Sequence, residues 1–367
     1  MPDDFQNLMN SATLLTRQGN LTAATAAIQA ALGNKKSTRA EAQSATQARC
    51  DRGSNLIMLP APVVNQVPRA DATPASNPQN KPQAKAPSVD HFIAGRYGAD
   101  GASRRDYKLY IPPGAGARAL PLIVMLHGCT QNPDDFAAGT AMNALARTHG
   151  VYVLYPAQCA KANPQRCWNW FKHTHQVRGS GEPALIADMT ERIMAEHLID
   201  PDRVYVAGLS AGAAMAAILG ETYPDVFAAV GVHSGLAAGA AIDLASALNA
   251  MKGVAIKAQT RATGVATIVF HGDADSTVHA SNAAQVIANC TGNAAHVEVK
   301  QIKTSGTRAA TRSAYRDANG VVIAEHWLVH GAAHAWSGGS AAGSYTDSRG
   351  PDASAEMLRF FMQHRRT

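Results

Sequence analysis

The sequence predicts an α/β protein built on a doubly wound, mostly parallel sheet. Three observations carry this. Short, almost wholly apolar runs alternate with helical stretches from about residue 91 onwards, as strands buried on both faces alternate with their crossover helices. The pentapeptide Gly208-Leu-Ser-Ala-Gly212 falls where one apolar run gives way to an Ala-rich helical stretch. The residue types that carry chemistry follow directly after other apolar runs, and ligands in such sheets lie beyond the carboxyl ends of the strands.

The first part of the 367-residue chain reads differently. Between Asp4 and Leu32, apolar residues recur at helical spacing (Leu8, Ala12, Leu15, then Leu21, Ala24, Ile28, Leu32), with Gly19-Asn20 between the two runs. This predicts a helical hairpin over residues 1–55, an oligomerisation or partner-binding element. The second run resembles half of a tetratricopeptide repeat, but one hairpin is too little for a solenoid. Residues 56–90 are rich in Pro, Ala, Asn and Gln. Such a stretch buries too little apolar surface to offset its ordering entropy and is expected to be a linker. A catalytic domain is expected over 91–367.

Within that domain Tyr107–Ile111 reads as a strand, stopped by Pro112-Pro113, and Leu120–Leu126 as a buried strand. One helix is expected over Phe136–His149, a strand over Val151–Tyr155 and an amphipathic helix over Leu185–His197. The β-branched and aromatic run from Val204 leads into the pentapeptide, and Ala-rich sequence continues as helix to about Tyr223. Further strands are expected at Phe227–Val232, Val265–Phe270 and Ala324–Val329, with helices near Asn282–Asn289 and Ser354–His364.

Composition narrows the function. The chain is 46% hydrophobic and 16% charged, with a scattered net charge of +6 and no accompanying nucleic-acid motif. No apolar run approaches the roughly 20 residues needed to span a bilayer. The N-terminal residues lack the basic and apolar regions of a signal peptide, which predicts a cytoplasmic location. Cysteines 50, 129, 159, 167 and 290 are too few for a disulfide scaffold and show no zinc-ligand spacing.

A serine between small residues at a strand-to-helix turn stands clear of the sheet, beside free N–H groups that favour developing negative charge. Ser210 is therefore the candidate nucleophile. The loop His127-Gly-Cys-Thr-Gln-Asn132 occupies the place where an α/β-hydrolase supplies one oxyanion donor, and the residue after the nucleophile supplies the other. Cys129 and Ala211 are assigned to these amides, with His127 shaping the loop. In Phe270-His-Gly-Asp-Ala-Asp-Ser-Thr-Val278 two carboxylates compete to orient a base. The phrase His-Gly-x-x-Asp-x-x-Val resembles one common at this point in α/β-hydrolases, which favours Asp275 and leaves Asp273 to stabilise the turn. His334, among small residues after the last strand, is the candidate base, and His330 is expected to end that strand. Ser210, Asp275 and His334 follow one another in α/β-hydrolase order.

The region from about residue 90 resembles the polyhydroxybutyrate depolymerase family of esterases. The phrases that carry the resemblance are His127–Asn132, Cys167-Trp-Asn-Trp-Phe171, Arg178-Gly-Ser-Gly-Glu182, the Gly-Leu-Ser-Ala-Gly box, His233-Ser-Gly235 and His334-Ala-Trp-Ser-Gly338. The resemblance implies an α/β-hydrolase fold without cofactor and cleavage of short-chain polyhydroxyalkanoate (3-hydroxybutyrate) esters, oligomers or amorphous polyester. The family alternative is a feruloyl or acetylxylan esterase, and a different class of reading is a recruiting protein that uses the N-terminal hairpin. The resemblance also implies a Cys129–Cys167 bridge, for which Cys159 could compete, and an extracellular location as the alternative to the cytoplasm. Trp168, Trp170 and Trp336 lie beside the site and are candidate substrate contacts, with core packing as the alternative. Trp327, inside a strand, is expected in the core.

Overall fold

The apolar runs form the centre of a ten-stranded sheet with the order β1-β2-β4-β3-β5-β6-β7-β10-β9-β8. The computed structural model describes residues 89–98, 104–254, 264–292, 296–303 and 307–366. The expected hairpin at 1–55 and the linker as far as residue 88 lie outside them. Strands β3 (Leu120–Leu126), β4 (Tyr152–Pro156), β5 (Ile199–Leu209), β6 (Ala229–His233), β7 (Ala266–Gly272) and β10 (Val322–Val329) run parallel. Antiparallel pairs close the two ends: β1 (His91–Tyr97) with β2 (Arg105–Ile111), and β8 (His296–Ile302) with β9 (Ala310–Arg316).

Every residue of β3, β4, β6 and β7 is buried, because helices cover both faces. Alternate side chains feed two separate cores. Leu122, Val124, Val204 and Val206 pack with α3 (Gly181–Glu196), α4 (Ala211–Thr222), α5 (Leu244–Met251) and α6 (Ser281–Thr291). Ile123, Met125, Tyr205 and Ala207 pack with α1 (Pro133–Thr140), α2 (Met142–His149) and α7 (Ala353–Phe361).

Two outcomes differ from the sequence reading in an instructive way. The single helix expected over Phe136–His149 is two, broken at Ala141, whose φ of 52° is left-handed. The break frees the Thr140 carbonyl, and Ser354 Oγ, 2.7 Å away, donates to it. Strands β1, β8 and β9 and helix α5 were not anticipated. The edge strands β1 and β8 expose most of their side chains, so they lack the apolar signature that marks the central ones.

The sheet order places β3 between β4 and β5, so the sheet winds in opposite directions from β3, and the strand ends there are where ligands of such sheets bind. Ser210 directly follows β5 at that place.

Candidate active site

Ser210 sits at the turn between β5 and α4 with φ 57° and ψ −118°. A non-glycine residue is held in this region only when its surroundings over-determine it. Here the Ser210 N–H donates to His233 O at 2.9 Å, and two glycines let the backbone pass. A Cβ on Gly212 would lie 2.1 Å from Leu126 O, and one on Gly208 would lie 2.4 Å from the carbonyl carbon of Gly212. Gly212 is thus required by contact between α4 and the end of β3, and Gly208 by contact with the first turn of α4.

The two carboxylates after β7 have separate partners. Asp275 is buried, and its Oδ2 accepts from His334 Nδ1 at 2.7 Å while its Oδ1 accepts from the Thr277 and Val278 amides, each at 2.9 Å. His271, fully buried behind it, brings Nε2 to 3.5 Å from Asp275 Oδ2 and donates to Val278 O at 2.8 Å. Burial alone would raise the Asp275 pKa, but hydrogen bonds from His271, His334 and the backbone outweigh it and hold the carboxyl well below the usual range. Asp273 instead accepts from the Gly331 amide at 2.6 Å and from His330 Nδ1 at 2.8 Å, which fastens the turn after β10. With Nδ1 donating to Asp275, His334 keeps Nε2 as its basic nitrogen.

His233 ties these parts together, a role the sequence reading missed. Its carbonyl holds the Ser210 amide, and its Nε2 accepts from Ser337 N at 2.9 Å, three residues beyond His334. Burial lowers its pKa to about 3, so the ring stays neutral and Nε2 stays an acceptor.

The loop after β3 is fixed from behind. His127 is buried, donates from Nδ1 to Gly128 O at 2.7 Å and accepts from Gln158 N at Nε2, 3.1 Å. Both nitrogens are engaged, and burial lowers its pKa to about 4, so it braces the loop and does not serve as a base. Cys129 is bridged to Cys167, with the sulfurs 2.01 Å apart. Cys159, the competing partner in sequence, is a free thiol. The segment from Cys167 is held in turn by buried Glu182 at the start of α3, which accepts from Asn169 N (2.6 Å), Asn169 Nδ2 (2.7 Å) and Gln158 Nε2 (2.5 Å). Among the described residues, the amides of Cys129 and Ala211 donate to no protein acceptor.

This arrangement has known counterparts. A family model described as esterase PHB depolymerase matches residues 105–313, more than half of the chain. The chain belongs to the esterase PHB depolymerase family. It is 33% identical over 238 residues to poly(3-hydroxyalkanoate) depolymerase C of Paucimonas lemoignei, covering 61% of this chain and 57% of that one. It is 31% identical over 250 residues to poly(3-hydroxybutyrate) depolymerase of Ralstonia pickettii, covering 61% of this chain and 49% of that one. The chain therefore spans about half the length of the curated relatives it matches. An acetyl xylan esterase structure from Aspergillus awamori superposes with a TM-score of 0.58 at 17% identity, over 74% of this chain and 99% of that one, and this likeness shows the α/β-hydrolase fold. No helix among the described residues is long and apolar enough to cross a membrane.

In this family member the tryptophans expected at the substrate are core residues. Trp168 is fully buried and donates from Nε1 to His127 O at 3.1 Å, packing behind the β3 loop. Trp170 is buried against Phe171. Trp336 is buried between Phe136 and His233, its Nε1 donating to Ser354 Oγ at 3.0 Å. Their proximity in sequence to the site residues is real, but their rings point inward, where an indole buries the most apolar area while its N–H finds a partner. Trp327 lies in the core as expected.

Proposed function

We propose that this chain is a serine carboxylic-ester hydrolase that acts on short-chain hydroxyalkanoate esters, oligomers or amorphous polyester through an acyl-enzyme. The observation that carries the reading is the His334–Asp275 contact at 2.7 Å, joined through His233 to the turn that bears Ser210. In this mechanism His334 Nε2 takes the proton of Ser210 Oγ as the oxygen attacks the ester carbonyl. The Cys129 and Ala211 amides stabilise the oxyanion. His334 then gives the proton to the leaving alkoxide, which departs as the alcohol. In the second half His334 takes a proton from water, hydroxide attacks the acyl carbon, and Ser210 leaves with the proton returned. Asp275 holds the imidazole in the required tautomer and stabilises its cationic form.

The hydroxyalkanoate substrate is supported by the names of the two relatives. The Cys129–Cys167 bridge supports an extracytoplasmic setting over the cytoplasmic expectation, since such bridges persist in oxidising compartments. Partner binding through residues 1–55 stays a separate proposal, read by the localisation of a chain lacking residues 1–88.

The test compares wild type with Ser210→Ala on hydroxybutyrate oligomers, amorphous polyhydroxybutyrate, methyl ferulate, acetylated xylan and p-nitrophenyl esters. Loss of kcat by about 10⁶-fold is expected for the variant. More than a few per cent of residual activity would sink the mechanism. Preference for ferulate or acetylxylan would retain the chemistry and replace the substrate.

A further inference from the structure

Tyr345 lies in the loop between His334 and α7, and its backbone is left-handed, with φ 52°. For a bulky residue this costs about 1 kcal/mol or more and needs fixed anchors. There are two. The Tyr345 carbonyl accepts from the Trp336 amide at 2.7 Å, two residues beyond His334. Its hydroxyl lies 3.2 Å from Thr130 Oγ1, one residue beyond Cys129. Thr130 Oγ1 gives its one proton to Cys129 O at 2.6 Å, so the tyrosine hydroxyl is the donor between the two. The preceding residue is braced as well: Ser344 donates to Asp135 from N (2.9 Å) and from Oγ (2.6 Å), and its carbonyl accepts from Gln131 at 3.1 Å.

Tyr345 is thus fastened at one end to the loop that carries His334 and at the other to the loop that carries Cys129, and bridges the two. The residue nevertheless remains 49% exposed and stacks on no other aromatic ring among the described residues. Backbone strain, two anchors and this exposure together hold an aromatic residue open to a ligand between the two loops.

We propose that Tyr345 is the substrate-facing aromatic of this site, its ring the wall against which the aliphatic chain of an ester lies. The assignment rests on the esterase reading above and names a contact that reading lacks, since the three nominated tryptophans are buried. Tyr345→Asn removes the ring and tolerates the left-handed backbone. Tyr345→Phe keeps the ring and gives up the bond to Thr130. The ratio of kcat/KM for p-nitrophenyl hexanoate to that for p-nitrophenyl acetate should fall about tenfold in Tyr345→Asn and less than about twofold in Tyr345→Phe. An unchanged ratio in the Asn variant, or an equal fall in both, would overturn the proposal, the second because it assigns the effect to the Thr130 bond. Tyr345→Gly serves in the same comparison if the Asn variant fails to fold. A second arm needs no turnover. In the Ser210→Ala background, calorimetry should find the Kd for a 3-hydroxybutyrate trimer weakened about tenfold by Tyr345→Asn, and equal affinity would overturn the proposal. Wild type inactive on every ester defeats the esterase reading, while the calorimetric arm still decides on Tyr345.

Discussion

Asp275 shows how one residue's surroundings fix its role. Desolvation works against its charge, yet two backbone amides and two histidines face its oxygens, and the carboxylate form wins. Asp273, two residues earlier, has comparable partners but sits at the surface on a structural turn. An amide in place of the Asp275 carboxylate could turn its NH₂ towards His334 and stabilise the tautomer that carries the proton on Nε2, which removes the base. Asp275→Asn is therefore expected to lower kcat about 10⁴-fold with KM changed by less than about threefold. Steady-state kinetics decide this, and a fall of tenfold or less would assign the orienting carboxylate elsewhere. Asp273→Asn is the comparison, expected to act on stability through the turn at Gly331.

At the scale of elements, the loop after β3 is the part whose geometry most depends on distant chain. The bridge closes a loop of sequence separation 38, and the chain-entropy model puts its contribution near 4 kcal/mol. Glu182 and Gln158 hold the other side of the same segment. Removing the bridge by Cys167→Ser is expected to lower unfolding free energy by about 2–4 kcal/mol and to reduce kcat more than it changes KM. Urea titration and ester kinetics on the one variant read both, and a stability loss with kcat intact would separate the bridge from the oxyanion loop. Dependence on distant chain also explains what could be read in advance. The elbow is local, because sterics at Gly208 and Gly212 impose the small residues, so the motif marks itself in five positions. The central strands mark themselves by unbroken apolar runs. The inward turn of Trp336 depends on the Ala141 break and on Ser354, and the contact of Tyr345 with Thr130 spans 215 residues. No periodicity or motif encodes pairings of that kind.

Across the whole molecule, the histidines set the response to acid. Burial lowers the pKa of His127 to about 4, of His233 to about 3 and of His326 to about 4. In the unfolded chain each would titrate near its ordinary value of about 6.5. A folded pKa below the unfolded one contributes stability that is complete above the unfolded value and is lost as pH falls towards the folded value. Between about pH 6.5 and 4 the unfolded state thus takes up protons at these three rings that the folded state refuses, and burial lowers the pKa of His197 and His364 in the same direction. At about 1.4 kcal/mol per pH unit for each, these three rings alone contribute up to about 4 kcal/mol per unit. The depressed carboxylates Asp275 and Glu325 add their own loss only below about pH 4, so the two windows separate. Unfolding free energies from urea titrations at pH 7, 6 and 5 should fall steeply across that range, and His326→Phe should reduce the slope by about one proton. A stability independent of pH from 7 to 5 would show that the buried rings are not held neutral. The consequence reaches the site, because a protonated His233 can no longer accept from Ser337 N. The link between the Ser210 turn and the His334 loop then opens along with the fold, so the buried His233 ring couples the geometry of the site to the stability of the molecule.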